Sequence, residues 1–248
     1  MDIGTVKFIR PQDEFLQKYI KGYYMHRSTD PGFDKTVYFY QNITSTINIY
    51  RDTQVTLHDD FWAYHHAPGS GFNARVVVKV KGYQAVKLQG KFDKIATVFY
   101  PTGINHFIRC PLSELISSMY SEFTHFDGLY DDLLPILFEV PTIEEKRDLL
   151  DDFFRSQFRP FADQRLLQAV HQIIQSEQAI KVNQLAKNIG VNRRTLLRLF
   201  QKHLTYSIEE YQAIVKFRRA LIELQHQGKS HLTQVAYNSA NYDQADFN

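Results

Sequence analysis

The 248-residue chain has one cysteine and one tryptophan, and no apolar run near the roughly 20 residues that a membrane helix needs. A lone Cys110 excludes an intrachain disulfide, a cysteine-based zinc site and a redox pair; it reads as a small apolar residue of a protein in a reducing compartment. Met1 to Phe15 mixes charged and apolar residues too closely for the core of a signal peptide, so a cytoplasmic location with no membrane partner is expected. Glycine and proline are sparse, at 11 and 8 residues, which argues against low complexity. With 44% hydrophobic and 23% charged residues, the chain can bury one large core or two modest ones.

Enzyme chemistry is equally short of residues. A cupin-type metal site needs histidines one residue apart so that both point inward from a strand, and no such pair exists. His65 and His66 are adjacent and must face opposite ways, while His26, His58 and His106 are scattered. The pairs Asp59/Asp60, Asp131/Asp132 and Asp151/Asp152 read as solvated charges, and there is no nucleophile elbow or phosphate-binding glycine loop. The expectation is a protein without catalytic residues, metal or cofactor.

Charge is unevenly placed. Residues 161–248 carry 11 Lys+Arg against 7 Asp+Glu, and residues 181–231 carry 10 against 3, an excess that an anionic partner would feel. Residues 1–160 are slightly acidic, with 18 basic against 20 acidic residues.

Along the chain, DEFLQKYIKGYY suggests a short helix ending near Gly22, with Phe15, Tyr19 and Ile20 on one face. From Val37 the spacing turns to alternation, and YFYQNITSTINIYRD, TQVTLHDDFWAYHH, ARVVVKVKGY, QAVKLQG and DKIATVFYP read as strands of a barrel or sandwich running to about Phe107. Ile43, Ile47 and Ile49 fit one strand face. Helical patterns occupy about 111–158: PLSELISSMY, then YDDLLPILFEV interrupted by Pro135, then KRDLLDDFFRSQF behind a Thr142/Glu145 capping box. These helices suit either packing under the sheet or a homodimer interface. The aromatics Trp62, Tyr64, Tyr83, Phe99 and Tyr100 would line an apolar pocket for a small-molecule effector, although such residues more often build core.

A boundary is placed at 160/161, where Pro160 precedes a new helical pattern. In VNQLAKNIGVNRRTLLRLF, Leu185, Ala186, Ile189, Val191, Leu196 and Leu199 take the apolar positions of two crossing helices, and Gly190 supplies a left-handed turn. Asn192 suits an N-cap, and Arg194, Leu197 and Arg198 fall on the face opposite the core, where an arginine can bond guanine. Arg193, Lys202 and Lys187 are placed for phosphates. SIEEYQAIVKFRRALIELQH reads as one long helix capped by Ser207 and Glu210, and a second, similar unit begins at Leu232.

On LAKNIGVNRRTLLRLFQKH, YQAIVKFRRALIEL and TQVAYNSANYDQADF, residues 163–248 resemble the DNA-binding domain of AraC/XylS-type transcription regulators. The resemblance implies two helix-turn-helix units joined by a long helix, with Arg194, Leu197 and Arg198 facing bases of double-stranded DNA in the first, and Gln244, Ala245 and Asn248 in the second. Departures from the family pattern stand at Thr205 and Ala240, where glycine is usual, and at Asn241. The end at Asn248, inside the second recognition helix, is read as shortening. Through FYPTGINHFI the first half more weakly resembles the family's cupin-like sensor domains. The expectation is therefore an α+β chain with a β-rich sensor or dimerisation domain at 1–160 and a DNA-binding domain at 161–248. The competing classes are a metal-dependent cupin enzyme with a helical appendage and a dimerising regulator without DNA binding.

Overall fold

In the computed structural model, residues 5–80, 82–116, 118 and 120–226 are described. Two sheets face each other. The larger has the order β1-β2-β9-β4-β7-β10, formed by Thr5–Ile9, Ile20–Ser28, Phe92–Phe99, Ser45–Arg51, Phe72–Val77 and Tyr120–Glu122. The smaller has the order β3-β8-β6-β5, formed by Asp34–Tyr40, Tyr83–Gln89, Phe61–His66 and Thr53–Leu57, with β6 and β8 parallel and its other pairs antiparallel. The fold class is α+β, a β-rich N-terminal half followed by helices.

Alternation along each strand assigns its two faces to two cores. On β4, Ile47 and Ile49 point to the helices, while Asn48 and Tyr50 point between the sheets. On β9, Ile95 and Phe99 join the helical side and Phe92 and Lys94 the inner side. The short helices α1 (Leu112–Leu115) and α2 (Leu134–Leu137) and the longer α3 (Ile143–Gln157) cover the outer face of the larger sheet through Leu112, Leu134, Leu137, Leu150 and Phe154. Packing on the sheet, one of the two expected uses of this segment, is observed. The Thr142/Glu145 capping box is formed.

Three local expectations are corrected. DEFLQKYIKGYY is not a helix: a single 3-10 turn, Leu16–Lys18, leads into β2, which runs through Gly22. A Cβ at Gly22 would lie 2.2 Å from the Phe8 ring, so the glycine serves close strand packing instead of ending a helix. PLSELISSMY gives one helical turn, after which Tyr120–Glu122 pairs with β7 at the sheet edge. Ile43 lies before β4 and packs against the second, helical core.

That second core is built by α4 (Gln164–Gln175), α5 (Val182–Ile189), α6 (Arg193–His203) and α7 (Ile208–His226), around Leu166, Leu185, Ala186, Leu196, Phe200 and Tyr211. Arg219 of α7 donates to the carbonyls of Ile174 and Ser176 at the end of α4, satisfying groups that a helix end leaves open. Gln212 of α7 bonds both N–H and C=O of Ile180.

Between the two cores, the Phe161 N–H donates to Nδ1 of the buried His106 at 3.2 Å, and Arg159 N–H to the His106 carbonyl at 2.7 Å. Burial lowers the His106 pKa to about 4, below that of the histidine in an unfolded chain. The stabilising contribution of the neutral ring is therefore fully present above about pH 6.5 and lost as pH falls towards 4, because the unfolded chain takes up the proton first. Urea midpoints should fall between pH 7 and pH 4.5 more steeply for the native chain than for His106→Gln. Parallel curves would remove His106 from this role.

Candidate DNA-binding face and effector cavity

The α5–α6 pair has the crossing-helix geometry that its residues dictate. Gly190 takes φ 74° and ψ 31°, a conformation nearly free to glycine and costly for other residues, and its N–H closes α5. Ala186 and Leu185 are buried at the crossing against Leu196, Leu199 and Phe200. Asn192 caps α6 by accepting from the Thr195 N–H at 2.8 Å. At the other end of α6, Thr205 sits at φ 67° with a buried hydroxyl that has no hydrogen-bond partner among the described residues. Ser207 and Glu210 then cap α7 reciprocally, at 3.0 and 2.7 Å.

Four polar groups of sequence interest are exposed on α5 and α6. Arg194 and Arg198, one helical turn apart, are exposed, as are Arg193 and Lys187. Leu197 departs from the expectation: it is half-buried against the helical core, as an apolar residue between two solvated arginines will be when a core is within reach. Lys202 is exposed at the far end of α6, beside the segment Asn105–Pro111 of the first half. Gln244, Ala245 and Asn248, together with Ala240, Asn241 and the second unit from Leu232, lie outside the described residues.

A left-handed threonine costs about 1–2 kcal/mol, and its buried hydroxyl adds to that. Thr205→Gly should therefore raise the stability of the chain by about 1–2 kcal/mol. An unchanged or lower melting temperature would mean that packing of the threonine methyl outweighs the strain.

The second feature lies inside the β-sandwich. Two small chambers, of about 70 and about 30 Å³, share Phe39, Tyr50, Tyr64 and Lys94 as walls. The larger also touches Trp62, Lys79, and Tyr206 and Arg218 from the helical half. Among the residues lining either chamber are three cations, Lys79, Lys94 and Arg218, and no carboxylate. A larger hollow, about 670 Å³, is an open groove between α4, α5 and α7, bordered by Arg193, Lys181 and Lys216. The sandwich chambers are smaller than this groove, and aromatic rings form a large part of their walls.

Of the five aromatics singled out in sequence, Trp62 and Tyr64 stand in the cavity wall. Phe99 does not: it points to the opposite face of β9, fully buried against Phe107 and Phe154. Tyr83 is 61% exposed and rests against Tyr38 on the outside. Tyr100 follows the end of β9, away from both chambers. Sequence reasoning missed Lys94 and Tyr50, although the alternation in β4 and β9 that separates the two faces was readable.

Contacts join the cavity to the helices. Lys79 Nζ lies 3.6 Å from Glu210 Oε2 and 6.0 Å from the Tyr206 ring centroid, and Tyr40 packs on Phe217 of α7. Among the described residues no group of three His, Cys, Asp or Glu is placed to hold a metal, and no helix is long and apolar enough to cross a membrane.

No family model matches the chain, and no curated protein matches it. Among solved structures it is similar to ToxT from Vibrio cholerae, at 12% identity over 88% of each chain with a TM-score of 0.41. Wild-type ToxT of strain SCE256 with bound unsaturated fatty acid gives 13% identity over 88% of this chain and 86% of that one, with a TM-score of 0.42. ToxT of strain O395 bound to (E)-4-(8-methylnaphthalen-1-yl)but-3-enoic acid gives 11% over 87% of each, with a TM-score of 0.39. Overlaps this loose carry no functional argument.

Proposed function

We propose that this chain is a DNA-binding transcription regulator of the AraC/XylS kind, in which a small effector enters the β-sandwich and changes how the helical half meets DNA. The observation that carries the reading is the α5–α6 pair. Its left-handed Gly190, Asn192 cap and buried crossing present Arg194 and Arg198 on an exposed face of the second helix. The division of labour follows the proposed boundary, with residues 1–160 as sensor or dimerisation domain and 161–248 as reader of double-stranded DNA.

The cavity supports the control half of this reading. Tyr206 and Arg218 border it directly, so an occupant that moves either residue moves the α6–α7 turn or α7 itself. An effector can shift DNA affinity only by the difference of its affinities for the two arrangements, which is the quantity to measure.

The test is fluorescence anisotropy with DNA selected from genomic fragments, read across salt. Binding through arginine–phosphate and arginine–base contacts should weaken steeply, with a slope of log affinity on log salt near −3 for about three neutralised phosphates. Absence of binding at low salt would favour the competing reading, a regulator that acts by dimerisation alone.

A further inference from the structure

Inside the sandwich, strand register brings three polar side chains together. His26 on β2, Lys94 on β9 and Tyr50 on β4 are direct cross-strand partners in one row, and Tyr24 lies two residues before His26 on the same face. Lys94 is 6% exposed, and its Nζ stands 5.4 Å from the Tyr24 ring centroid, 5.5 Å from that of Phe39 and 5.6 Å from that of Tyr50. Within the described residues these ring faces are its neighbours; no carboxylate pairs with it. The Tyr24 hydroxyl lies 3.3 Å from His26 Nδ1. Both chambers open against Lys94.

Such a setting treats the two forms of an amine differently from the way water does. Burial lowers the Lys94 pKa to about 7, so a large share of the amine is neutral and nucleophilic near neutrality. Ring faces carry negative quadrupole charge. They favour a delocalised, weakly hydrated cation beside them. The chamber volumes correspond to only about two or three waters and one water, room for a short carbon chain.

We propose that Lys94 is a covalent sensor site for short apolar aldehydes, its amine condensing reversibly with the carbonyl to form an imine. This rests on the reading of the sandwich interior as the effector site. The nitrogen lone pair adds to the carbonyl carbon, forming the C–N bond, while the carbonyl π pair moves to oxygen and is protonated. The resulting carbinolamine loses its hydroxyl as water and a proton from nitrogen, leaving C=N. One aldehyde and one amine give one imine and one water, with no oxidant or reductant. The Tyr24 hydroxyl and His26 Nδ1, 3.3 Å apart on the strand beside Lys94, are the groups of the row with which these protons can exchange. The imine, when protonated, keeps the cation–π contacts that the ammonium had.

The test is reductive trapping on the full chain: propanal with sodium cyanoborohydride at pH 7.5, followed by intact mass and peptide mapping. The expected result, apart from label on the α-amine, is a propyl group on Lys94, added at least roughly tenfold faster than on exposed lysines such as Lys91, because a far larger fraction of Lys94 is neutral at that pH. Label spread over surface lysines with Lys94 unmodified would overturn the assignment. Tyr24→Phe should slow trapping at Lys94 without redirecting it, and an unchanged rate would overturn the proton-transfer role. Propanoate serves as the parallel probe. If it raises the melting temperature while propanal leaves Lys94 untouched, the imine fails and the effector cavity stands. If Lys94 is labelled in a chain that binds no DNA, the regulator reading fails and the imine stands.

Discussion

Arg194→Ala and Arg198→Ala are each expected to lower affinity for selected DNA by about 1–3 kcal/mol, roughly 5- to 150-fold, and to relax sequence preference at one position. Both side chains are exposed on α6 and make no hydrogen bond or ion pair with other described residues, so their removal leaves the helical core intact. The loss should therefore appear in binding and not in thermal stability. Leu197→Ala should divide the other way, because Leu197 is half-buried against the core: stability falls while sequence preference changes little. Lys187→Ala should weaken binding to all sequences alike and make the salt slope shallower by about 1. Equal losses on selected and random DNA for the two arginine variants would sink their assignment to bases. The measurement is anisotropy at fixed salt with both DNAs, beside a melting curve for each variant.

Asp151→Ala should be the most damaging single change to the fold, at about 3 kcal/mol or more. Asp151 is buried on α3, where its carboxylate accepts from the Gln12 N–H at 2.7 Å, the Asp13 N–H at 3.0 Å and the Tyr23 hydroxyl at 2.7 Å. Alanine would leave two backbone donors and a phenol without their acceptor, and each buried unpaired group costs about 1–3 kcal/mol. For a chain of this size the melting temperature should fall by about 6–12 °C. Asp151→Asn keeps one acceptor oxygen and should lose roughly half as much. Burial and the neighbouring carboxylate also push the Tyr23 pKa well above its ordinary value, so the phenol remains a donor throughout the working pH range. A loss under 1 kcal/mol would show that water replaces the carboxylate. The contact also ties the segment leading into β2 to α3, and β2 carries Tyr24 and His26 to the smaller chamber.

How much of this was legible before the fold depends on the range of the forces involved. The Gly190 turn, the Asn192 cap and the Thr142/Glu145 and Ser207/Glu210 boxes are written within four residues, and each forms as read. The misread segments answer to distant partners. Gly22 is in a strand because Phe8 packs over it, and Tyr120–Glu122 is a strand because β7 has an open edge. Phe99 looked like a pocket residue because aromatic content carries no face, and the parity of β9 puts it with the helices.

The sequence by itself determined the two kinds of secondary structure, their order, the capped helices and the basic face of α6, because local propensity, periodicity and capping act over a few residues. Only the tertiary structure decided which side chains share the sandwich interior. Lys94 meets His26, Tyr50 and Tyr24 through the register of three strands drawn from separate parts of the chain. Arg218 and Tyr206 reach the same cavity from the helical half. A one-residue slip in any of those strands would turn its side chains to the other face, so the site exists only as a consequence of pairing.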